Sequence, residues 1–489
     1  MTRSIGVIGG GISGLAAAHR LLAHDPTLDV TVFEREKRLG GKILTERRDG
    51  YVIEGGPDSF LSVKPRGVGL SRELGLEGRL IEPDERNRGA FVLHRGALVP
   101  IPEGLSGLVP SRLSPIVKTP LLTRRGKLRL AAELLVRPRR SDDDESLASF
   151  VERRLGREAY ERLIEPLMSG IYAGDGRRLS LAATFPNLRL AELNHGGLIR
   201  GAVAARTAAV RNSDGTLPRR GFLSYPTGMA ELAAALRARI EAAGGTIHTG
   251  TTVSAIRPRS DGRAGYDLEI DGLAPALPRA FDAIIVATPA WAASPLLRPW
   301  STAAADALAG IEHVSNAIVV AAFRTSRMAR PLTGTGYVVP RVENRPVMAV
   351  TWSSLKWRDR APADHLLVRA FIGRAGRQHD LDGDDAHLTG LALAELREVM
   401  GIRGEPEFAS VFRWEGGMPQ YNLGHLDRVA SIEAGVGAVP GIEIAGNMLR
   451  GVGIPDCIAS GETAANNVLG WLARGHPVTQ RESLAAPAR

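Results

Sequence analysis

The first fifty residues combine strand-like and helix-like spacings of apolar side chains. Residues 4–8 form a short apolar run, residues 15–22 place apolar side chains at helical intervals, and residues 30–33 form a second apolar run that ends at Glu34. The glycine-rich residues 9–14 lie between the first run and the helix. This order predicts a strand, a tight turn, a helix and a parallel strand, which together make a βαβ unit.

Helical patterns continue in the middle and at the end of the chain. Residues 229–243, followed by two glycines, and residues 457–472 carry helical spacing. Ser141 and Asp144 have the spacing of a capping box, which predicts a helix that begins near them and ends near Gly156. Residues 100–200, which include this helix, are predicted to form a helical insertion.

Further strands fall into two groups. Apolar runs predict strands at residues 246–256, 266–270, 281–288 and 441–445. Four more β-rich runs predict a second, mostly antiparallel sheet, at residues 316–323, 337–339, 347–352 and 366–372. The pattern therefore predicts one α/β domain built from separated chain segments, with two other modules inserted between them.

The composition is that of a folded, water-soluble protein. The 489 residues are 44% apolar and 24% charged, enough for about three domains. These values exclude a disordered chain, a collagen and a small disulfide-stapled protein. The single cysteine, Cys457, excludes an intrachain disulfide and a cysteine-based zinc cluster, and no metal site is expected. Because the longest apolar runs are shorter than the roughly 20 residues that span a bilayer, and the first run leads directly into glycines, a cytoplasmic protein is expected.

The formal net charge of +9 is concentrated in one segment. Between Arg112 and Arg140 there are nine basic residues and one acid, Glu133, which leaves a local net charge of +8. Such a segment is either a solvated helical face or a surface for anionic lipid or an acidic substrate. No nucleic-acid-binding motif accompanies it and only 5% of residues are aromatic, so nucleic acid is not expected as a partner.

The turn from Gly9 to Gly14 has the G-x-G-x-x-G pattern, and Glu34 lies 20 residues after its last glycine. Together with the strand before it and the helix after it, this is a dinucleotide-binding fingerprint. Gly9 permits the tight turn, Gly11 allows the backbone to approach a pyrophosphate, and Gly14 allows the helix to pack on the strand. Glu34 is expected to accept hydrogen bonds from a ribose.

Two further glycine-rich segments resemble those of flavoenzymes of glutathione-reductase and amine-oxidase type, and this resemblance favours FAD over NAD. A second glycine pair, Gly40-Gly41, follows Glu34 and precedes Lys42. Near the C-terminus, the sequence GVGIPD at residues 451–456 lies between a predicted strand and the last helix. Backbone amides at that helix N-terminus can stabilise negative charge, which suits a reduced flavin.

At this level of detail the sequence resembles the protoporphyrinogen oxidase family, and most closely its oxygen-dependent coproporphyrinogen III oxidases of Gram-positive type. The resemblance rests on EGGPDSFL at residues 54–61 with Lys64, IEPLMSGIYAGD at 164–175, Thr351-Trp352 with Lys356-Trp357, Trp414 with MPQY at 418–421 and Gly424-His425, and GVGIPDCI at 451–458. These motifs run in the family's order from residue 5 to about residue 470. One departure is Asn447, where many enzymes of this superfamily place an acid.

The resemblance implies a fold class and three modules. The class is α/β, with an FAD-binding Rossmann-type domain of amine-oxidase and glutathione-reductase type, an antiparallel-sheet substrate domain and a helical inserted domain. The FAD domain would comprise residues 1–49, 221–289 and 406–474. The substrate domain would comprise residues 50–90, 201–220 and 290–405. The helical domain would comprise residues 91–200, and in this family it is held to approach the membrane surface. A loose tail at 475–489 would follow the last segment of the FAD domain.

The resemblance also implies which positions meet non-covalent FAD: Gly9, Gly10, Gly11, Ile12, Ser13, Gly14, Glu34, Arg35, Gly41, Lys42, Gly56, Pro57, Asp58, Ser59, Val253, Trp414, Val452, Gly453 and Ile454. Lys64 is predicted to pair a substrate propionate, with a solvated lysine as the alternative. The backbone carbonyl of Gly170 is predicted to face pyrrole N–H groups, with a helix-ending glycine as the alternative. His425 is either a base or a loop histidine, and the loop histidine is favoured.

The activity implied is FAD-dependent oxidation of coproporphyrinogen III to coproporphyrin III in haem biosynthesis, in three two-electron steps, with O₂ as acceptor and H₂O₂ as product. Loss of N–H protons is driven by aromatisation, so no catalytic acid or base is named. The partners implied are the porphyrinogen, O₂, an anionic membrane surface at the inner face of the membrane, and a downstream chelatase that receives the product. Protoporphyrinogen IX oxidation, another amine-oxidase-like activity, and a non-enzymatic flavin-binding adaptor remain open.

Overall fold

A five-stranded parallel sheet is one of the two main sheets in this computed structural model. The structure describes residues 2–103, 105–106, 109–110, 114–211, 221–271, 280–329 and 331–474. The predicted tail at 475–489, Arg112 and the predicted segment 212–220 lie outside the described residues. The strand order is Thr246–Thr249, Asp29–Glu34, Ser4–Ile8, Ala283–Val286 and Ile442–Ile444, each paired in parallel with its neighbour. The predicted βαβ unit is therefore confirmed.

Helices cover both faces of this sheet. One face packs against Ile12–His24, Ala230–Ala242 and Ile454–Ala473, through a core of residues such as Leu15, Leu236 and Val468. The other face packs against Ala290–Leu297, Thr302–Ala309 and His425–Gly437. The helices Ile12–His24 and Ile454–Ala473 lie in close contact. A Cβ atom added to Gly461 would lie 2.0 Å from the carbonyl oxygen of Ser13.

Two predicted strands are each divided between two sheets. Residues 246–256 form Thr246–Thr249 and Val253–Pro258, since the chain turns at Gly250, which has a φ of +66°. Residues 281–288 likewise form Ala280–Phe281 and Ala283–Val286. The strands Val253–Pro258, Tyr266–Ile270 and Ala280–Phe281 make a separate three-stranded antiparallel sheet.

The predicted second sheet has seven strands, in the order Phe408–Pro419, His313–Arg324, His365–Ile372, Val347–Trp352, Gly336–Val338, Phe91–His94 and Ala97–Pro100. All neighbours are antiparallel except Gly336–Val338 and Phe91–His94, which confirms a mostly antiparallel sheet. One face packs on the helix Asp385–Glu395. The opposite face carries a smaller apolar cluster that includes Ile318 and Phe412 and borders the candidate site.

The remaining helices form a third group with its own core. They are Ser114–Lys118, Arg124–Ala131, Leu147–Leu155, Arg157–Ala159, Glu165–Tyr172, Leu181–Thr184, Pro186–His195 and Leu198–Arg211. The predicted capping box at Ser141 is wrong, because Ser146 caps the helix Leu147–Leu155 by accepting a hydrogen bond from the backbone N–H of Ser149. The predicted end at Gly156 is confirmed.

The short elements connect these groups. The two-stranded pairs are Thr45–Arg48 with Tyr51–Glu54, Phe60–Leu61 with Phe222–Leu223, and Leu105–Ser106 with Val109–Pro110. The helices Pro65–Glu73 and Ser353–Lys356 lie next to the candidate site.

Several sheet strands cross the predicted module boundaries. Phe408–Pro419 belongs to the seven-stranded sheet, although residues 406–474 were predicted to belong to the FAD domain. Phe91–His94 and Ala97–Pro100 also extend this sheet rather than the helical group. Helices within residues 290–309 pack on the five-stranded sheet instead. Which sheet a strand joins depends on the strands that it pairs with, and this pairing does not follow the predicted boundaries. The division of the chain into modules stays a prediction.

Candidate active site

The first turn is shaped by two glycines that leave no room for a side chain. Gly9 has a φ of +112°, and a Cβ atom there would lie 2.7 Å from the carbonyl oxygen of Ala287. A Cβ atom on Gly14 would lie 1.9 Å from the carbonyl oxygen of Gly9. Both contacts are far inside van der Waals distance, so the strand and the helix can approach only because these residues are glycines.

Gly11 differs, because the space beside it is free of protein. A Cβ atom on Gly11 would meet only the Cα atom of Gly41, at 3.9 Å, among the described atoms. The backbone N–H of Gly10 donates to the Glu34 carboxylate at 2.6 Å, and the N–H of Glu36 donates to its other oxygen at 2.8 Å. The second glycine pair is tied to the first turn, since Gly40 N–H donates to the carbonyl of Gly10. The turn is therefore a rigid, open cradle.

Polar groups without protein partners surround this cradle. Within the described residues, no carboxylate lies within ion-pair distance of Lys42, and burial lowers the pKa of its ammonium group. The hydroxyl oxygen of Thr288 and the Nε2 atom of His313 are buried without hydrogen-bond partners. Thr288 lies beside Gly9, and burial, with a smaller contribution from the charge of Lys42, lowers the pKa of the His313 imidazole. An ammonium, a hydroxyl and an imidazole left in this state suit an anionic ligand with many acceptor atoms.

Contacts to its own backbone hold the next loop, residues 55–59, in place. A Cβ atom on Gly56 would lie 1.9 Å from the carbonyl oxygen of Lys42, so this close approach requires glycine. The buried guanidinium of Arg369 donates to the carbonyl oxygen of Gly56. The indole N–H of Trp414 donates to the carbonyl oxygen of Gly55 at 2.8 Å.

The side chain of Asp58 points into the protein and is fully used there. Lys356 donates to both of its oxygens at 3.0 and 2.9 Å, Ser59 donates at 2.7 Å, and the indole N–H of Trp357 donates at 3.2 Å. Arg369 forms an ion pair with it at 3.4 Å. Burial raises the pKa of the Asp58 carboxyl, but the charges of Lys356 and Arg369 outweigh this effect and leave that pKa below its usual value. Only the backbone of Asp58 remains to face a ligand.

A second buried pair lies next to the first. Arg360, which is 1% exposed, forms an ion pair with Glu54 at 3.5 Å. Its guanidinium also donates to the hydroxyl of Ser224 and to the carbonyl of Tyr225. Glu54 also accepts from the backbone N–H of Met229. The loop at 55–59 is thus anchored at both ends by a buried carboxylate that pairs with an arginine, which fixes its position against the seven-stranded sheet.

Two aromatic rings of the seven-stranded sheet lie next to this loop. On the sheet, Phe371 of the internal strand His365–Ile372 and Trp414 of the edge strand Phe408–Pro419 are both only half-buried. Opposite them, the helix Glu165–Tyr172 presents Gly170, which is exposed and has only Val338 within 4.0 Å of an added Cβ atom. Ala173, at the end of this helix, packs with Phe371 in a small apolar cluster. The end of this helix therefore contacts the sheet through apolar side chains, and Gly170 stays open beside that contact.

The N-terminus of the last helix closes another side. Gly453 precedes Ile454–Ala473, and the Asp456 carboxylate accepts from the Gly453 N–H at 3.2 Å. Lys64, the residue before the helix Pro65–Glu73, donates to the same Asp456 oxygen at 2.5 Å. Val452 packs against the core of the helical group. The predicted residues of the last segment and Lys64 are brought together by this contact.

Other predicted residues take more ordinary positions. Val253 begins a strand and is 9% exposed, in the cluster that contains Phe33. Arg35 is exposed and pairs with Glu36 at 3.0 Å. His425 is not in a loop, since it begins the helix His425–Gly437, stacks on Tyr421 at 4.0 Å and contacts the carbonyl of Leu449 through Nε2. This buried, bonded position is that of a structural histidine, and burial lowers the pKa of its imidazole.

Cys457 lies in the last helix and is buried. Burial raises the pKa of its thiol to about 11, so the reactive thiolate is scarce at neutral pH. A covalent bond to a cofactor is therefore not favoured at this cysteine.

Sequence reasoning missed Arg369, Asp456, Thr288 and His313 as parts of the site, and it assigned Lys356 no role. Lys356 belongs to the motif Lys356-Trp357, and Asp456 follows Gly453 at capping-box spacing, so the sequence contains a signal for both residues. Arg369 left none, because its partner Asp58 is distant in the sequence and adjacent only in the fold.

The site fits a dinucleotide, since it offers a side-chain-free cradle beside Gly11 and, among the described residues, buried atoms of Thr288 and His313 that have no hydrogen-bond partner. Comparison with known proteins identifies the family to which the chain belongs. The chain is 36% identical over 471 residues to the coproporphyrinogen III oxidase of Bacillus subtilis (strain 168), covering 95% of this chain and 98% of that protein. It is 32% identical to the chloroplastic protoporphyrinogen oxidase of Nicotiana tabacum, covering 96% and 86%.

A solved structure gives the same result. A structure from Exiguobacterium sp. 255-15 that is assigned to the protoporphyrinogen oxidases superposes with a TM-score of 0.83 at 34% identity, covering 97% of this chain and 99% of that one. Residues 12–469 match the family of flavin containing amine oxidoreductases. FAD is the cofactor that this match and the dinucleotide cradle support together. The chain therefore belongs to the family of flavin containing amine oxidoreductases.

Proposed function

We propose that the protein oxidises coproporphyrinogen III to coproporphyrin III in haem biosynthesis, with O₂ as acceptor and H₂O₂ as product, in three two-electron steps. The observation that carries this proposal is the side-chain-free cradle beside Gly11, together with the half-buried rings of Trp414 and Phe371 next to the loop at 55–59. A flat, large macrocycle needs an apolar surface next to the redox cofactor, and these two rings would supply it. The names of the relatives supply the substrate class.

The cofactor would lie along the cradle and the loop. Gly9 to Gly14 and Gly41 would meet the pyrophosphate, Lys42 would neutralise part of its charge, and Glu34 and Arg35 would contact the adenosine side near Val253. Gly56 to Ser59, Trp414 and Val452 to Ile454 would surround the ring system. When bound, FAD would supply a hydride acceptor at N5 and pass the electron pair to O₂.

The chain's own residues would mainly position the substrate and keep water out. The ion pairs of Asp58 hold the loop rigid, so the macrocycle would meet a fixed surface. The Gly170 carbonyl would accept from pyrrole N–H groups, and Lys64 would pair a propionate at the mouth. No side-chain base is assigned, because aromatisation drives the loss of protons. In this proposal the five-stranded part binds FAD and the seven-stranded part binds substrate.

The test is turnover of two substrates in parallel. The purified, FAD-loaded protein is given coproporphyrinogen III and protoporphyrinogen IX, while porphyrin fluorescence and O₂ uptake are recorded. Faster formation of coproporphyrin with matching O₂ uptake is expected. A preference for protoporphyrinogen IX would favour the alternative substrate, which several relatives are named for. Absence of fluorescence from both would reject porphyrinogen oxidation and leave another amine-oxidase-like activity or a non-enzymatic carrier.

Peripheral binding to the inner face of an anionic membrane is part of the proposal. Among the described residues, no helix has both the length and the apolar character needed to cross a bilayer. Exposed apolar side chains, Val117, Leu128, Leu134 and Leu135, lie among the basic residues of the 112–140 segment, and Leu135 is 86% exposed. Basic residues contribute about 1 kcal/mol each near an anionic surface. Sedimentation with anionic but not neutral vesicles, weakened by salt, is expected.

A protein bound at this surface could transfer its porphyrin product to a downstream chelatase in the cytoplasm. Equal sedimentation with anionic and neutral vesicles would contradict the membrane component without affecting the proposed activity.

A further inference from the structure

The ion pair between Lys64 and Asp456 joins two helix N-termini at the mouth of the site. Lys64 Nζ lies 2.5 Å from an Asp456 oxygen, and the two side chains are 43% and 19% exposed. The same oxygen accepts from the backbone N–H of Gly453 at 3.2 Å. Asp456 is therefore held from two sides, and it takes up one of the three donors of the Lys64 ammonium.

This arrangement changes what Lys64 can do for a carboxylate ligand. A lysine without a partner presents a full positive charge, whereas Lys64 presents a pair whose net charge is close to zero. Two N–H donors remain for a ligand, but an incoming carboxylate must approach the Asp456 carboxylate as well. Because like charges at such separations repel, the pair binds an anion more weakly than the lysine alone would.

The weakening has a use in the proposed reaction. Oxidation changes the macrocycle and leaves every propionate intact, so Lys64 contacts substrate and product in the same way. Binding energy shared by substrate and product does not lower the barrier of the chemical step. It does slow the departure of product, which must happen before the next turnover.

We propose that Asp456 is a positioning residue that moderates the hold of Lys64 on a porphyrin carboxylate and so permits release of the product. The inference rests on the proposed function, because it takes a carboxylated porphyrin as the ligand. It adds a role for a residue that does not itself contact the reacting atoms.

The test variant is Asp456→Asn, which removes the charge and keeps an oxygen that can accept from Gly453 N–H. The chain offers a matched control on the same two helices. Arg66 of Pro65–Glu73 donates through Nε to Glu462 of Ile454–Ala473 at 2.6 Å, and the Glu462 side chain is 13% exposed. Glu462→Gln therefore removes an ion pair between the same elements, at similar burial, about two and a half helical turns away from Gly453.

The binding experiment uses the FAD-loaded proteins and measures dissociation constants of coproporphyrin III and of the dicarboxylate protoporphyrin IX at low and high salt. Asp456→Asn is expected to tighten coproporphyrin III about fivefold to tenfold at low salt, with a smaller gain at high salt. Steady-state kinetics should show a lower kcat with kcat/KM unchanged or higher, since release becomes slower. Glu462→Gln should match the wild type in every measurement.

Two results would overturn the inference: a coproporphyrin dissociation constant for Asp456→Asn within twofold of the wild type or weaker, or the same gain in Glu462→Gln. FAD content and melting temperature are measured for each variant. If Asp456→Asn does not fold, the neutral Asp456→Ser carries the same comparison. The proposed function fails separately, if the wild type oxidises neither porphyrinogen.

Discussion

The floor of the site and its mouth are built on different principles. On the floor, a Cβ atom on Gly14 or Gly56 would lie 1.9 Å from a backbone oxygen, and the carboxylate of Asp58 is enclosed by Lys356 and Arg369. At the mouth, Gly170 has open space beside it, and Lys64 is 43% exposed. We therefore expect changes on the floor to reduce stability or cofactor affinity, and changes at the mouth to affect only the handling of the substrate.

The largest effect is expected for Asp58→Ala. It leaves Arg369 and Lys356 without a counter-charge in a buried place, which costs about 3–5 kcal/mol in the free energy of unfolding. Denaturant titration checks this value. The control is Glu269→Ala, which removes the exposed pair with Arg257 and should cost less than about 1 kcal/mol. Equal losses in the two variants would contradict the contrast between floor and surface.

The same carboxyl gives a pH dependence. The folded-state pKa of Asp58 lies below its unfolded value of about 3.9. Its contribution to stability is therefore complete above about pH 3.9 and is lost as the pH falls further, through the folded-state pKa. The stability difference between wild type and Asp58→Ala should accordingly shrink in acid.

The next largest effect separates the two kinds of glycine. Gly11→Val should fold, because its backbone has a φ of −72° and no described atom lies within 3.9 Å of an added Cβ. It should lose FAD affinity by roughly a hundredfold or more, since the side chain occupies the space of the pyrophosphate. Flavin fluorescence titration measures the loss. Gly14→Ala should instead fail to reach a stable fold, and an FAD affinity of wild-type strength in Gly11→Val would reject the cradle.

A smaller effect is expected at the mouth. Lys64→Ala should lower kcat/KM by roughly tenfold, the value of a charge-assisted hydrogen bond of about 1.5–3 kcal/mol in a partly exposed place. The loss should be larger for the tetracarboxylate than for the dicarboxylate if the partner propionate is present only in the former. An equal loss would indicate a shared propionate, and unchanged kinetics would remove Lys64 from the site.

The smallest effect is expected for Gly170→Ala. The added methyl group meets only Val338 at 4.0 Å, and alanine favours a helix over glycine by about 0.5–1 kcal/mol, so the melting temperature should rise slightly or stay the same. Porphyrinogen KM should rise a few-fold if the macrocycle lies against this helix. An unchanged KM would place the macrocycle elsewhere in the site.

The family, the fold class and the cofactor could be predicted from the sequence because their signals are local. The turn at Gly9 to Gly14 and Glu34 lie within one βαβ unit, and the spacing alone defines the fingerprint. The capping box at Ser141 failed because Ser146, five residues later, offers a competing cap. The pair of Arg369 and Asp58 could not be predicted, since it depends on how two sheets meet. The predicted binding roles of Lys64, Gly170 and the flavin contacts stay predictions.

The order of strands in the parallel sheet has a consequence for synthesis of the protein. Ser4–Ile8 is made first, but the sheet is completed by Ile442–Ile444 and the first helix is covered by Ile454–Ala473. About 440 residues separate the first strand from the last, which takes the ribosome roughly 20–90 s at 5–20 residues per second. During that interval the surface of the first helix that Ile454–Ala473 covers has no partner and is exposed to aggregation. The nascent chain should therefore depend on chaperones until Ile454–Ala473 has been made.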